Sequence, residues 1–102
     1  MNKVKKTYEQ IVNRMRYEED MPPYCEVCGM CPPRFGCLNH IVSKGRIANP
    51  KHPNLHNERN LILVCMDCHR EFEHGNELTD RYIVERELWD LFPDVINKNK
   101  YL

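Results

Sequence analysis

Leu61-Ile62-Leu63-Val64-Cys65-Met66-Asp67-Cys68-His69 is the stretch from which the architecture of this 102-residue chain is read. Four apolar residues of strand length run straight into a Cys-x-x-Cys pair. A second pair stands forty residues earlier, in Tyr24-Cys25-Glu26-Val27-Cys28-Gly29. Two soft-ligand pairs at this separation suit a closed tetrahedral Zn2+ site. Gly29 directly follows Cys28, where a metal knuckle often takes a positive φ. Cys28-Gly29-Met30-Cys31 is also a Cys-x-x-Cys, but Cys31 precedes Pro32. The Cys25/Cys28 pairing is therefore preferred, and Cys31 and Cys37 are read as core or loop thiols.

Outward from these pairs the chain reads as one α+β domain, residues 1–102. Val4, Tyr8, Ile11, Val12 and Met15 recur at spacings of three and four, which predicts an amphipathic helix over 4–20 ended by Met21-Pro22-Pro23. Knuckle and turn follow to Gly36. Cys37 to Val42 is a short strand candidate, Ser43 to Asn57 a loop broken by Gly45, Pro50 and Pro53. After the Leu61–Val64 strand, a short helix is expected from His69 to His74, stopped by Gly75. A last helix is expected over 78–92, with Leu78, Tyr82, Ile83, Trp89 and Phe92 on one side and Pro93 beyond it. The centre thus reads strand, loop, strand, helix.

A chain this short buries only about 60–65% of its unfolded surface. A structural Zn2+ contributes on the order of 10 kcal/mol to folding, support that so small a core needs. No apolar run approaches the roughly 20 residues that span a bilayer, and the basic N-terminus has no apolar stretch behind it to make a signal peptide. A cytoplasmic location and no membrane partner are expected, and six cysteines in a reducing compartment argue for metal rather than disulfides. Net charge is zero, but its distribution is uneven. Residues 34–70 carry six basic side chains against two acidic ones; residues 71–102 carry four against eight. A polyanion is attracted locally by such a pattern, although charged loop residues are ordinarily just solvated.

Cys25-x-x-Cys28, Asn39-His40-Ile41, Glu58-Arg59-Asn60-Leu61 and Leu63-Val64-Cys65-x-x-Cys68-His69 together resemble the zinc-containing HNH endonuclease family. The resemblance covers residues 24–75. It implies a ββα-metal finger, here flanked by an N-terminal and a C-terminal helix, with one catalytic divalent cation beside the zinc knuckles. It further implies an enzyme that hydrolyses phosphodiester bonds, nicking double-stranded DNA, from a bacterial cell or a phage-infected host.

By that resemblance His40 is the general base that activates water, Asn60 the residue that braces the loop, and His69 a ligand to the catalytic metal. Each role suits its side chain. A neutral imidazole accepts a proton near pH 7, and an amide donates and accepts at once. The structural zinc site, closed by the four sulfurs of Cys25, Cys28, Cys65 and Cys68, has no open position for chemistry. A second cation (Mg2+, Mn2+ or Ni2+) is therefore implied, with Asn39 and His74 as further ligands beside His69. Many relatives carry Asp or His at the position of Asn39, so a neutral oxygen ligand is expected to hold the cation more weakly. Glu73 shares a helical face with His69 at i+4 and ranks below His74. Lys44, Arg46, Lys51 and Arg59 are expected phosphate contacts, and His52 and His56 solvated or phosphate-facing loop residues.

Taken singly, these residues read more plainly: His40 as a hydrogen-bonded strand histidine, Asn60 as a turn residue, His69 as a substitute zinc ligand. Two other functions fit the same chain. One is a catalytically silent zinc module that binds DNA or protein; the other is an accessory subunit of a larger phage nuclease, restriction or packaging assembly. An RNA substrate is a third possibility.

Overall fold

Leu61, Ile62, Leu63 and Val64 are all fully buried, so both faces of their strand must be covered. The computed structural model, which describes residues 3–29, 37–47 and 51–102, shows how. Strand β1 (Cys37–His40) pairs antiparallel with β2 (Leu61–Val64), Leu38 opposite Leu63 and His40 opposite Leu61. Successive side chains of a strand point to opposite faces. Leu61 and Leu63 accordingly pack with Ile11 and Met15 of the N-terminal helical segment. Ile62 and Val64 enter the larger core with Ile41, Val42, Phe72, Ile83 and Phe92. An apolar run that suits the middle of a large sheet serves here in a two-stranded one, because helices close both sides.

Helix α1 (Lys3–Asn13) is continued by a wider π turn, Arg14–Glu18. Together they fill most of the span expected over 4–20, and Asp20 at φ 54° turns the chain away. β1 stops at His40, short of the expected Val42, because the side chain of Asn60 takes over the pairing of Val42. The expected loop holds one helical turn, α2 (Lys44–Ile47), where the Ser43 hydroxyl accepts the Arg46 N–H at 3.2 Å. Helix α3 (Met66–His74) starts three residues before the expected His69, with Cys65 at its N-cap position.

The expected 78–92 helix is divided. Helix α4 (Glu77–Glu85) ends where Glu87 adopts a left-handed conformation, φ 49°. The chain then makes a tight turn at Leu88–Asp90. That break lets the C-terminal segment fold back over the 51–57 loop. His52 packs on Phe92 with ring centroids 4.9 Å apart and planes tilted by 45°, and the Asn54 amide donates to the Leu91 carbonyl at 2.9 Å. The result is an α+β domain of four α-helices and one two-stranded sheet among the described residues. No helix among them is long and apolar enough to cross a membrane. The alternative ligand Cys31, the Pro32-Pro33 turn and Pro50 lie outside the described residues.

Candidate functional site

The four cysteines come together from two kinds of local structure. Cys25 and Cys28 sit on a turn closed by Gly29 N–H donating to the Cys25 carbonyl at 2.8 Å. Gly29 has φ 77°, the left-handed value that favours a residue without Cβ. Cys65 leaves β2 and Cys68 stands in the first turn of α3. Their sulfurs all lie within 4.8 Å of one another, with Cys28 and Cys65 at 3.8 Å. A tetrahedron of Zn–S bonds near 2.3 Å has edges of about 3.8 Å, so the donor set and its spacing fit zinc. Burial raises the Cys25 thiol, but N–H groups of Cys28, Cys65 and Val27 outweigh it and bring it down to about 7. Burial and neighbouring sulfurs push Cys68 up. His69 is no part of this cluster.

Glu26, inside the first knuckle, fastens the cluster to the rest of the fold. Its N–H donates to the Leu63 carbonyl at 2.8 Å, and its carboxylate accepts the Leu63 N–H at 3.0 Å. The same carboxylate bridges Arg14 at 3.1 Å and Arg86 at 3.2 Å. Sequence reading passed over Glu26; the one available signal was a carboxylate confined between two metal-ligand cysteines.

A second region lies beside β1 and α3. A cleft of about 500 Å3 is lined by Asn39, His40, Lys44, Arg46, His69 and Glu73 among others. His40 is held neutral at pH 7. Burial, then His56 and Lys44, draw its pKa down to about 4. Its Nε2 lies 3.0 Å from Nδ1 of His56, the rings edge to face at 62°. His56, expected from sequence as a solvated or phosphate-facing loop residue, is instead partly buried against His40.

Asn60 is fully buried and meets three backbone groups. Its Oδ1 accepts the Val42 N–H at 2.8 Å, and its Nδ2 donates to the carbonyls of Val42 at 3.1 Å and Leu55 at 3.0 Å. It thereby ties the residues after β1 to the loop before β2. His69 Nε2–H donates to Glu73 Oε1 at 2.9 Å, while its Nδ1 is buried with no hydrogen-bond partner among the described residues. A carboxylate on one ring nitrogen and a bare second nitrogen is the usual arrangement of a metal-ligating histidine. Asn39 Nδ2 donates to the His40 carbonyl at 3.3 Å.

The other expected site residues divide between the cleft and places away from it. His74, five residues beyond His69, is carried round α3 to a separate hollow lined by Glu71, Leu78 and Arg81; Glu73 takes the position beside His69. Arg59 points the other way, donating to the carbonyls of Arg86 and Glu87. Lys44 and Arg46 lie on the cleft, Arg46 donating to the Tyr101 hydroxyl at 3.1 Å. Lys51 is exposed and is not among the cleft residues. His52 is neither solvated nor near the cleft: it pairs with Asp94 at 3.3 Å and accepts the Asn54 N–H. No family model, curated protein or solved structure matches this chain.

Proposed function

We propose that this chain is a metal-dependent endonuclease of the HNH type, hydrolysing phosphodiester bonds in double-stranded DNA. One observation carries the reading. His40, Asn39 and His69 line a single cleft, beside a four-cysteine cluster that fits zinc. Asn60 braces the same strand-loop-strand connection.

In this reading His40, neutral at physiological pH, takes a proton from water as the water oxygen bonds to phosphorus. The bond from phosphorus to the leaving 3′ oxygen breaks, and that oxygen takes a proton from solvent. Asn39 and His69 would hold a divalent cation, Glu73 steadying the His69 ring through Nε2. When bound, such a cation neutralises charge on the phosphate and the leaving oxygen. Lys44 and Arg46 on the lip supply positive charge for the flanking phosphates, contacts that position without reading sequence. The structural zinc takes no part, its four positions being closed by sulfur.

The testing experiment is nicking of supercoiled plasmid by zinc-loaded protein across Mg2+, Mn2+ and Ni2+, beside folded His40→Ala. Cleavage that the variant lacks is the expected result. Wild-type protein that holds zinc and fold yet cuts in no metal would overturn the reading. A silent zinc module that binds DNA would then stand in its place, a reading favoured by the neutral Asn39 at the cation position.

A further inference from the structure

We infer that His56 is a positioning residue for His40, selecting the imidazole tautomer in which Nδ1 is the bare nitrogen. Its catalytic meaning rests on the hydrolase reading above. The starting point is a contact between two rings, His40 Nε2 to His56 Nδ1 at 3.0 Å. Between two neutral imidazoles, one nitrogen must donate and the other accept. Were His56 the donor, His40 would carry its own proton on Nδ1 and its Nε2 lone pair would be occupied. No nitrogen of His40 would then remain to take a proton from water. Only the opposite arrangement, His40 Nε2–H donating to His56 Nδ1, leaves His40 a basic nitrogen.

The surroundings hold His56 where this requires. The Leu55 carbonyl is bonded by Asn60 Nδ2 at 3.0 Å, and the His56 carbonyl is bonded by Thr7 Oγ1 at 3.1 Å. Thr7 and Asn60 are both buried, so the backbone on either side of His56 is pinned to α1 and to the entry of β2. His40 lines the cleft and His56 does not. One histidine thus faces the reaction space while the other fixes its tautomer, the role that a carboxylate or carbonyl commonly fills for a basic histidine.

His56→Leu and His56→Asn separate this role from a structural one, since an Asn Oδ1 can accept where His Nδ1 accepted. Long-range 15N–1H NMR on zinc-loaded protein reads the tautomer directly. Wild type and His56→Asn are expected to show His40 protonated on Nε2, and His56→Leu a mixture. In plasmid nicking, His56→Leu is expected to lose about 10-fold or more in kcat with KM within about twofold, and His56→Asn to recover most of it. A wild-type His40 protonated on Nδ1, or a folded His56→Leu that nicks like wild type, would overturn the inference. A wild type that nicks nothing while showing the expected tautomer would instead overturn the hydrolase reading, and the catalytic role of His56 with it.

Discussion

Asn60 returns to Val42 the two hydrogen bonds that a neighbouring strand would have made: its Oδ1 accepts the Val42 N–H and its Nδ2 donates to the Val42 carbonyl. A side chain thus finishes the sheet where the backbone of β1 bends away. The third bond, to the Leu55 carbonyl, holds the far end of the loop. The position of His40 against His56 follows from this, since Val42 lies two residues after one histidine and Leu55 one residue before the other.

Replacing Asn60 with Ala should destabilise the zinc-loaded protein by about 3 kcal/mol or more, because three backbone groups lose their partner in a buried place. Asn60→Asp should be no better. It keeps the acceptor but loses both donated bonds and brings a charge to a site with no exposure. Urea denaturation of the variants checks this; a loss under about 1 kcal/mol for Asn60→Ala would show that the loop is held by other means.

The four-cysteine cluster should behave as part of the fold. One tightly held zinc per chain is expected by elemental analysis, and Cys25→Ser or Cys68→Ser should lose both metal and far-ultraviolet helical signal. A chelator should do the same to the wild type. A metal-free protein with a cooperative thermal transition would contradict the cluster's structural role.

Much of this was readable in advance, for a physical reason. Paired cysteines, Gly29 and the Leu61–Val64 run are local signals, and each fixes the conformation of its own few residues. The unread parts depend on contacts across the chain. Nothing in Glu85-Arg86-Glu87 announces that α4 must end there; the break follows from Arg86 reaching the Leu61 carbonyl and Glu26. The sequence ranks His74 above Glu73 as a ligand, but the helical turn sends the two to different sides of α3 and leaves Glu73 on the cleft. His52, in the same loop as His56, was diverted by Phe92 and Asp94, residues forty or more positions away.

Glu26 should matter more than any exposed charge. Two arginines and the Leu63 N–H share the carboxylate of this side chain, which is only 11% exposed. Glu26→Ala should cost about 2 kcal/mol by leaving the Leu63 N–H without its acceptor and Arg86 without its carboxylate, while Arg14 keeps Glu58 at 3.1 Å, and Glu26→Gln less, since it still accepts from Leu63. Chemical denaturation at low and high salt distinguishes the two variants. Equal, small losses would mean that the arginines find solvent at little cost.

Acidification should weaken the fold in part through His40. Its pKa is near 4 in the folded chain and 6.5 as the ordinary value, so between those limits the unfolded state binds more protons and stability rises with pH. That contribution is intact above about pH 6.5 and lost as pH falls toward 4. Between about pH 7 and pH 5, wild type should lose roughly 1 kcal/mol more than His40→Gln, after discounting for a half-buried ring. The difference between the two proteins removes the shared effect of acid on the cysteine cluster. Parallel losses would show that His40 is protonated in the fold without penalty.

On the nuclease reading proposed above, Glu73, rather than His74, should govern the divalent metal requirement. Glu73 sits 2.9 Å from His69 Nε2 on the ring whose Nδ1 has no partner among the described residues, whereas His74 lines a different hollow. Removing a carboxylate that orients a ligating histidine typically costs about 10–100-fold in metal affinity or activity. Glu73→Ala should therefore raise the Mn2+ concentration needed for half-maximal nicking by about that factor. His74→Ala should leave it unchanged. Asn39→Asp should move it the other way, because a charged oxygen ligand holds the cation more tightly than an amide. Manganese binding followed by electron paramagnetic resonance tests the same order without cleavage. A His74→Ala variant that loses manganese while Glu73→Ala keeps it would move the cation site to the other side of α3.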